Sequence, residues 1–335
     1  MTPFRFAALG CGFWADYQLA GWREVPGVEC VGVYNRTKAK AERFGLPAYD
    51  DPERMIAELT PDFLDVITDV GTHRQFVELA AKYRVPVVCQ KPMAETLADA
   101  EAMVEACRAA GVPLLVNENW RWQTPLRELH RVLQSGAIGT PFRARIDMIS
   151  GFPVFANQPF LAHLERFILT DLGSHTLDVA RLLFGEARSL YCTTRRTLPH
   201  IKGENVASVM LEMGPTTVLV QLAYAQNPLE RECFPETLVF VEGDRGSLEL
   251  CPGCVLKVTT TDGTLSRRVP PPQYPWANPA YAVVHSSIVP CQTDLARHLR
   301  GEGTAETTGE DNLNTVRLVF AAYDSVRDNR VVHFA

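Results

Sequence analysis

Residues 4–15 have the sequence FRFAALGCGFWA, in which a mostly apolar run ends in two glycines and a small residue. Apolar residues at helical spacing follow, so the segment predicts a strand, a tight turn and a helix. Gly10 permits the turn, Gly12 lets the backbone approach a pyrophosphate, and Ala15 lets the helix pack closely on the strand. The helix N-terminus then offers free N–H groups to phosphates. Because a strand and a helix flank the motif, it predicts dinucleotide binding rather than an ordinary turn of small residues.

Strand and helix patterns alternate after this segment as far as residue 116. Strands are predicted at residues 4–9, 28–34, 63–67, 85–89 and 112–116, and helices at 16–24, 38–44, 73–83 and 96–110. This alternation is typical of a parallel sheet that is covered by helices on both faces. It predicts a doubly wound Rossmann domain over residues 1–122.

The pattern changes near residue 140 to strand after strand with short turns between them. Strands are predicted at residues 142–150, 189–195, 206–213, 216–224, 237–242, 247–250 and 255–261, and helices at 172–183, 286–300 and 311–327. Such an order indicates an antiparallel meander. We therefore expect residues 123–335 to form a second α/β domain for substrate binding and oligomerisation, on an open, mostly antiparallel sheet. The last helix is a candidate to pack back on the Rossmann domain.

Composition excludes several classes of protein. The 335 residues include 33 basic and 39 acidic side chains, so the net charge of −6 argues against nucleic acid as a partner. No apolar run approaches the ~20 residues of a membrane-spanning helix, and the first residues lack the features of a signal peptide, which predicts a cytoplasmic protein. The nine cysteines form no disulfide framework, and Cys251-Pro-Gly-Cys254 indicates a turn between strands. No metal site is predicted.

The end of the second strand bears on the choice between NAD and NADP. An acidic residue there would bind the ribose hydroxyls of NAD and repel the 2′-phosphate of NADP. The sequence has Asn35 and Arg36 instead, so Asn35 can bind a hydroxyl without repelling a phosphate and Arg36 can face a phosphate directly. The cofactor is therefore predicted as NAD(P), with the choice left open because Arg36 could also point to solvent.

Two further motifs carry groups suited to alcohol oxidation. Lys91 follows the strand at 85–89, at the sheet edge where ligands bind in open α/β folds, and its ammonium could orient a substrate hydroxyl and stabilise a developing alkoxide. Asp171 and His175 lie one helical turn apart at the start of a helix, so His175 could accept the hydroxyl proton while Asp171 orients it. The structural alternatives are a surface lysine, a helix cap at Asp171 and a polar His175. Asp178 is expected to be structural.

Together these motifs resemble the Gfo/Idh/MocA oxidoreductase family, which includes glucose–fructose oxidoreductase and inositol dehydrogenase. Gln90-Lys91-Pro92 is similar to the family's Glu-Lys-Pro, and residues 119–122 (Asn-Trp-Arg-Trp) are similar to its Asn-aromatic-Arg-aromatic segment. Residues 138–141 resemble its domain junction, and residues 68–73 resemble its loop beside the nicotinamide. The departures are Gln90 in place of an acid, Asp69 where proline is common, and residues 167–170 in place of a glycine run.

The motifs and the resemblance together define the expected site residues. The catalytic residues are Lys91, Asp171 and His175. The cofactor residues are Gly10, Gly12, Phe13, Trp14, Ala15, Asn35, Arg36, Thr68, Asp69, His73, Gln90 and Lys91. The substrate residues are Lys91, Asn119, Arg121, Asn157, His163, Asp171 and His175, with Glu165 and Arg166 as further polar groups in the segment before Asp171. Structural roles for Asn119 and Arg121 remain open.

The expected function is hydride transfer between NAD(P) and a sugar or polyol by a homodimer or homotetramer. The overall run of residues is similar to a subgroup that oxidises a branched pentose such as D-apiose at its first carbon to a lactone. Three alternatives remain: an NAD-dependent glycosidase with transient oxidation, a reductase of an imine or diketone, and a non-catalytic NAD(P)-sensing regulator. An intact Lys91, Asp171 and His175 argues against the regulator, because a sensor needs no proton acceptor.

Overall fold

The computed structural model describes residues 3–230 and 232–334, apart from the side chain of Asn157. The chain divides into two compact units, one formed by residues up to Asn119 together with Gln273–Val316, and the other by Trp120–Pro272 together with the residues from Arg317 onward. The sequence division kept all of 123–335 together. Residues 273–316 join the first unit because their long helix, Ala282–Leu299, packs on the first helix and the last strand of that unit.

The first unit is built on a parallel sheet of six strands within the described residues. Its strands are β1 (Phe4–Leu9), β2 (Val28–Tyr34), β3 (Ala48–Tyr49), β4 (Phe63–Val66), β5 (Val87–Gln90) and β6 (Leu114–Asn117). Its helices are α1 (Phe13–Arg23), α2 (Lys38–Glu42), α3 (Pro52–Leu59), α4 (His73–Tyr83), α5 (Leu97–Ala110) and α9 (Ala282–Leu299). The order β3-β2-β1-β4-β5-β6 is that of a Rossmann fold, which confirms the predicted class.

An aromatic cluster joins α1 to the centre of this sheet. Phe6 of β1 and Phe63 of β4 stack with ring centroids 5.0 Å apart, and Trp22 of α1 lies 5.2 Å from Phe63. All three side chains are buried. Burying each contributes on the order of 2 kcal/mol, so this cluster holds the glycine turn between β1 and α1 on a rigid base.

Helix α3 and strand β3 were not predicted. Their signal is local, since Asp51 accepts hydrogen bonds from the backbone N–H groups of Glu53 and Arg54 at 2.9 and 3.1 Å, and Pro52 occupies the first turn. This N-cap arrangement is readable from sequence. Strand β3 has two residues, too few to show any periodicity.

The second unit is built on a sheet of nine strands among the described residues, with the order β14-β13-β12-β11-β7-β10-β9-β8-β15. Its strands are β7 (Pro141–Ser150), β8 (Ala187–Arg195), β9 (Val206–Met213), β10 (Thr216–Tyr224), β11 (Leu238–Gly243), β12 (Gly246–Cys251), β13 (Val255–Thr260), β14 (Gly263–Arg268) and β15 (Val332–His333). The helices are α6 (Thr124–Gln134), α7 (Val154–Asn157) and α8 (Ser174–Phe184), and α10 (Gly309–Asp328) ends in this unit. Among the described strands of this sheet only β7 and β10 pair in parallel, so the predicted mostly antiparallel sheet is confirmed.

One face of this sheet packs under α6 and α8. Strands β7 and β9 alternate buried and more exposed residues, and on the other face Ile149 and Met210 are 43% and 47% exposed. Strand β14 was missed because all six of its residues are exposed and show no alternation. The sheet therefore presents an open face with apolar side chains.

The cysteines show no clustering in the described part of the chain. All nine are free thiols there, and no group of three or more His, Cys, Asp or Glu side chains is arranged to hold a metal ion. Cys251 and Cys254 flank the tight turn between β12 and β13. Among the helices of residues 3–230 and 232–334, none is long and apolar enough to cross a membrane.

A buried carboxyl lies under α1. Asp65 of β4 is fully buried and accepts hydrogen bonds on Oδ2 from Trp22 Nε1 at 2.6 Å and from Gln18 Nε2 at 3.0 Å. Burial raises the pKa of Asp65 to about 7, although these two donors oppose the effect. Between about pH 4 and the raised value only the unfolded state gives up this proton, so the contribution of Asp65 to stability falls as pH rises through that range.

We expect Asp65→Asn to remove this pH dependence, because a neutral amide retains an acceptor for Trp22 and Gln18. From pH 5 to 8 the free energy of unfolding of the wild type should fall relative to that of Asp65→Asn by on the order of 2–4 kcal/mol. Denaturant unfolding at several pH values measures this difference. Asp62→Asn, an exposed carboxyl just before the same strand, is the matched control. Parallel pH profiles for wild type and Asp65→Asn would contradict the prediction.

Candidate active site

In the first unit the carboxyl ends of the parallel strands lie at one edge of the sheet. The strand order reverses between β1 and β4, because the chain adds β2 and β3 on one side of β1 and returns to the other side for β4. A crevice at such a reversal is where open α/β sheets bind ligands. Gly10, Asn35, Thr68 and Lys91 all follow strand ends at this edge.

The glycine turn has the conformation that the motif predicts. Gly10 has φ +107°, and a Cβ there would lie 2.7 Å from the carbonyl carbon of Ile67, so a side chain would meet backbone. A Cβ on Gly12 would meet no atom within 4 Å among the described residues, so the space above this glycine is open. Ala15 is fully buried against the sheet, as predicted. The backbone conformation of the turn therefore requires glycine at position 10, and the turn leaves open space for a ligand above Gly12.

Two side chains hold this turn from the neighbouring strand and helix. The backbone N–H of Cys11 donates to Asn35 Oδ1 at 3.2 Å, and Asn35 Nδ2 donates to the carbonyl of Thr37 at 3.0 Å. The Arg43 guanidinium donates to the carbonyl of Gly12 at 3.2 Å and pairs with Asp16 at 2.9 Å. Sequence reasoning missed Arg43, because only the packing of α2 brings it to the turn. Arg36 is exposed and forms no ion pair within the described residues.

The residues at this edge fit the pyrophosphate of a dinucleotide. No side chain caps the N-terminus of α1, so its N–H groups are not taken by a capping residue. Open space above Gly12 lets a ligand approach the backbone, and Gln90 Nε2 is buried without a hydrogen-bond partner in the described chain. Phe13 is 71% exposed and Trp14 is half-buried beside the turn. The first unit can therefore hold a nicotinamide dinucleotide.

His73 ties two loops of this edge together. Its ring nitrogens lie 3.0 Å from the carbonyl oxygen of Thr68 and 3.2 Å from that of Met93. Burial lowers the pKa of His73, so the neutral ring is favoured and can donate only one of these two hydrogen bonds at a time. Thr68 Oγ1 accepts from Thr72 at 2.8 Å, while Asp69 is exposed. His73 thus has a structural task, and its direct contact with the cofactor stays a prediction.

Lys91 follows β5 directly. Its side chain is half-buried, its peptide bond to Pro92 is cis, and Gln90 before it is 6% exposed. Strand β5 lies between β4 and β6, so the backbone leading to Lys91 is fixed by hydrogen bonds on both sides. The strand therefore places Lys91 at the same edge as the glycine turn, and holds it there through the sheet.

In the second unit the segment before α8 differs from the predicted helix. Residues Leu169–Gly173 form one π-helical turn, which we call the π-turn, and α8 begins only at Ser174. Asp171 lies within the π-turn and His175 in the first turn of α8. The regular spacing assumed from sequence for this pair is therefore replaced by a wider turn at Asp171. Such turns recur at functional sites.

The imidazole of His175 packs on an indole. Its ring centroid lies 4.2 Å from that of Trp120 with 23° between the planes, and both residues are buried. Trp120 Nε1 donates to Thr237 Oγ1 at 2.8 Å, which fixes the indole. The flat contact limits rotation of the His175 ring, and an indole face also attracts a cationic ring. Thr237 was not among the residues predicted from the sequence.

Arg121 and Asp178 of α8 form a buried ion pair. The Arg121 guanidinium donates to both carboxylate oxygens of Asp178, at 2.7 and 2.5 Å, with both side chains nearly inaccessible. This ion pair gives Asp178 a structural partner, in keeping with the structural role expected for it. Asn119 is also buried and donates to the carbonyl of Val284 and to Ser287 Oγ. These contacts give Arg121 and Asn119 structural partners, and their contact with substrate stays a prediction.

The remaining predicted substrate residues lie in the irregular segment before the π-turn. His163 ends the 3₁₀ turn Pro159–His163 and is exposed, while Glu165 pairs with Lys202 at 3.0 Å. Arg166 lies over the rings of α10. The side chain of Asn157 lies outside the described part of the chain.

Comparison with known families decides the class of this protein. Residues 4–118 match the Gfo/Idh/MocA family model for an oxidoreductase with an NAD-binding Rossmann fold, and residues 126–249 match the family's C-terminal domain. The chain belongs to the Gfo/Idh/MocA family. The family predicted from the motifs is thereby confirmed, and the first unit is the family's NAD-binding Rossmann fold.

Two relatives in this family are similar over nearly the whole chain. A D-apiose dehydrogenase of Rhizobium rhizogenes is 41% identical over 99% of this chain and 98% of its own length. A D-apiose dehydrogenase of Paraburkholderia graminis is 44% identical over 98% of this chain and 89% of its own. A crystal structure of an oxidoreductase from Agrobacterium radiobacter, in complex with NAD⁺, L-tartaric acid and magnesium, is 41% identical with a TM-score of 0.95, covering 99% and 98% of the two chains.

Proposed function

We propose that this protein is an NAD-dependent dehydrogenase of D-apiose or a closely similar aldose, which it oxidises at the first carbon to a lactone. The observation that carries the proposal is the 41–44% identity to two D-apiose dehydrogenases over at least 98% of this chain. The Gfo/Idh/MocA motifs that bear chemistry are present, with Lys91 after β5 and Asp171 and His175 around the π-turn. A small-molecule substrate is consistent with these features.

The reaction removes a hydride from the first carbon and a proton from its hydroxyl, leaving a carbon–oxygen double bond. NAD, when bound, accepts the hydride. We propose that His175 accepts the hydroxyl proton, since an imidazole suits this task near neutral pH. Lys91 donates a hydrogen bond to the same oxygen and stabilises its developing negative charge. Asp171 orients the exchanging proton. The glycine turn and the N-terminus of α1 bind the pyrophosphate.

The test is reduction of NAD, followed at 340 nm, on a panel of free sugars that includes D-apiose, pentoses, hexoses and myo-inositol. We expect kcat/KM to be highest for D-apiose and the product to be a lactone that hydrolyses to the acid. Reduction with myo-inositol alone would overturn the substrate assignment. Cleavage of a glycoside with no net NADH would favour the glycosidase alternative. Oxidation of NADH by an imine or a diketone, with no sugar oxidised, would favour a reductase.

The cofactor preference depends on Asn35 and Arg36. We predict that wild type uses NADP measurably and that Asn35→Asp shifts the preference toward NAD by about tenfold, equivalent to ~1.4 kcal/mol. An aspartate at position 35 keeps an oxygen that accepts the N–H of Cys11. Its negative charge would repel the 2′-phosphate of NADP. Arg36→Ala should weaken NADP alone. Measurements of kcat/KM with both cofactors at fixed salt test this. Equal loss of NAD and NADP in Arg36→Ala would show that Arg36 does not select the phosphate.

We propose that the protein is a homodimer or homotetramer assembled through the open face of the nine-stranded sheet. This face bears exposed Ile149 and Met210, and a second copy would remove their apolar surface from water. Light scattering after size exclusion should give a mass of two or four chains for wild type and a smaller mass for Met210→Glu. A wild-type monomer would contradict this. We also propose a cytoplasmic location, in keeping with the nine free thiols. Cell fractionation tests this location.

A further inference from the structure

One carboxylate lies at the start of the segment that carries Asp171. Glu204, in the connection between β8 and β9, accepts the backbone N–H of Phe167 at 3.2 Å and that of Leu169 at 3.2 Å. The backbone carbonyl of Glu204 accepts the N–H of Ile168 at 3.1 Å. Three successive N–H groups that open the π-turn are therefore satisfied by one residue that is distant in sequence. A negative charge near the N-terminus of a helix also interacts favourably with the positive end of the helix dipole.

A tyrosine of α10 holds this carboxylate in turn. Tyr323 Oη donates to Glu204 Oε1 at 2.7 Å. Burial and the neighbouring Glu204 raise the pKa of Tyr323 well above its ordinary range, so the phenol keeps the proton that it donates. The Arg166 guanidinium lies 5.3 Å from the centres of both the Tyr323 and the Phe320 rings, so it packs beside the tyrosine that binds Glu204.

Hydroxyl groups of the π-turn and of the first residue of α8 make further hydrogen bonds close in sequence. The Thr170 hydroxyl donates to the carbonyls of Arg166 and Phe167 at 2.9 Å, and the Ser174 hydroxyl donates to the carbonyl of Asp171 at 3.1 Å. These contacts are local and would move with the turn. The Glu204–Tyr323 contact instead ties the turn to the sheet and to α10, so it can set the position of the turn relative to the rest of the unit.

We propose that Glu204 and Tyr323 are positioning residues for the reaction, which fix the π-turn and thereby hold Asp171 and the start of α8 where the proton is transferred. This inference rests on the proposed roles of Asp171 and His175. A misplacement of about 1 Å can cost up to 10²-fold in rate, so the effect should appear in kcat rather than in KM.

The experiment compares Glu204→Gln and Tyr323→Phe with wild type on the best sugar substrate and on the same sugar deuterated at the reacting carbon. We expect kcat to fall about tenfold in Tyr323→Phe and 10- to 10²-fold in Glu204→Gln, with little change in KM and a larger isotope effect. The double variant should be no slower than Glu204→Gln, because the hydroxyl acts through the carboxylate. Tyr191→Phe, which removes a hydroxyl bonded to Asn329 at 2.9 Å in the same unit, is the matched control and should retain kcat.

Three further measurements separate the possible failures. Hydrogen exchange over residues 167–171 should be faster in Glu204→Gln than in wild type, independently of activity. If Glu204→Gln and Tyr323→Phe keep a normal kcat while Asp171→Asn loses activity, the inference is overturned but the role proposed for Asp171 stands. Normal kcat in Asp171→Asn would overturn the role proposed for Asp171 and the inference with it. A lowered melting temperature with unchanged kcat and isotope effect would show a purely structural pair and overturn the inference.

Discussion

Lys91→Ala should lose about 10²-fold or more in kcat while it still binds NAD, because the substitution removes a positioned charge from the reacting oxygen. We expect the glycine turn, Asn35 and the N-terminus of α1 to make most of the contacts with the cofactor, so the loss of the Lys91 contact should leave binding nearly unchanged. Fluorescence titration with NADH and steady-state rates measure the two quantities separately. The proposal thus predicts a loss confined to the chemical step.

The control for Lys91 is another lysine of the same unit. Lys82 lies on α4 and pairs with Glu53 at 3.1 Å on the surface, so Lys82→Ala should retain wild-type kcat. Melting temperatures of both variants show whether either has lost its fold. A near-normal kcat in Lys91→Ala would contradict the catalytic assignment and would indicate that Lys91 is an ordinary residue at the end of a strand.

His175→Ala should lower kcat/KM for sugar oxidation by about 10²- to 10⁴-fold, the range expected when a general base is removed. In wild type, kcat/KM should rise with pH as the acceptor loses its proton, and this rising limb should vanish in the variant. Rate profiles between pH 5 and 9 provide the measurement.

Packing must be separated from chemistry at this position, because His175 is stacked on Trp120 and its removal leaves a cavity. His175→Gln keeps much of the volume and should lose activity to a similar degree. His333→Ala removes an exposed histidine of β15 and should leave the profile unchanged. If the rising limb persists in both His175 variants, the proton goes to Lys91 or to water instead.

Much of the first unit could be predicted because its signals are local. The strand at 4–9 and the helix at 73–83 were predicted with their observed bounds. Gly10 could be assigned a special backbone conformation from its place between a strand and a helix. In each case neighbouring residues contain the whole signal, and the tertiary structure adds only the partner strands.

The candidate site of the second unit was less predictable. Asp171 and His175 were recognised from their motif, but the π-turn between them was not, because a one-residue change in helical hydrogen bonding has no periodic signature. Trp120 lies 55 residues from His175 in sequence, and the spacing of motifs carries no information on ring stacking. Arg121 was predicted as a substrate residue, and its ion pair with Asp178, which lies 57 residues away in sequence, was not predicted.

The sequence alone determined most of the order of strands and helices, the nucleotide-binding turn and the family, since these depend on contacts between residues near in the chain or on fixed motifs. Only the tertiary structure returned residues 273–316 to the first unit, paired Glu204 with Tyr323 across 119 positions, and buried Asp65 under Trp22. The physical reason is that such contacts form when apolar faces pack. Packing brings together side chains whose separation along the chain leaves no periodic trace in the sequence.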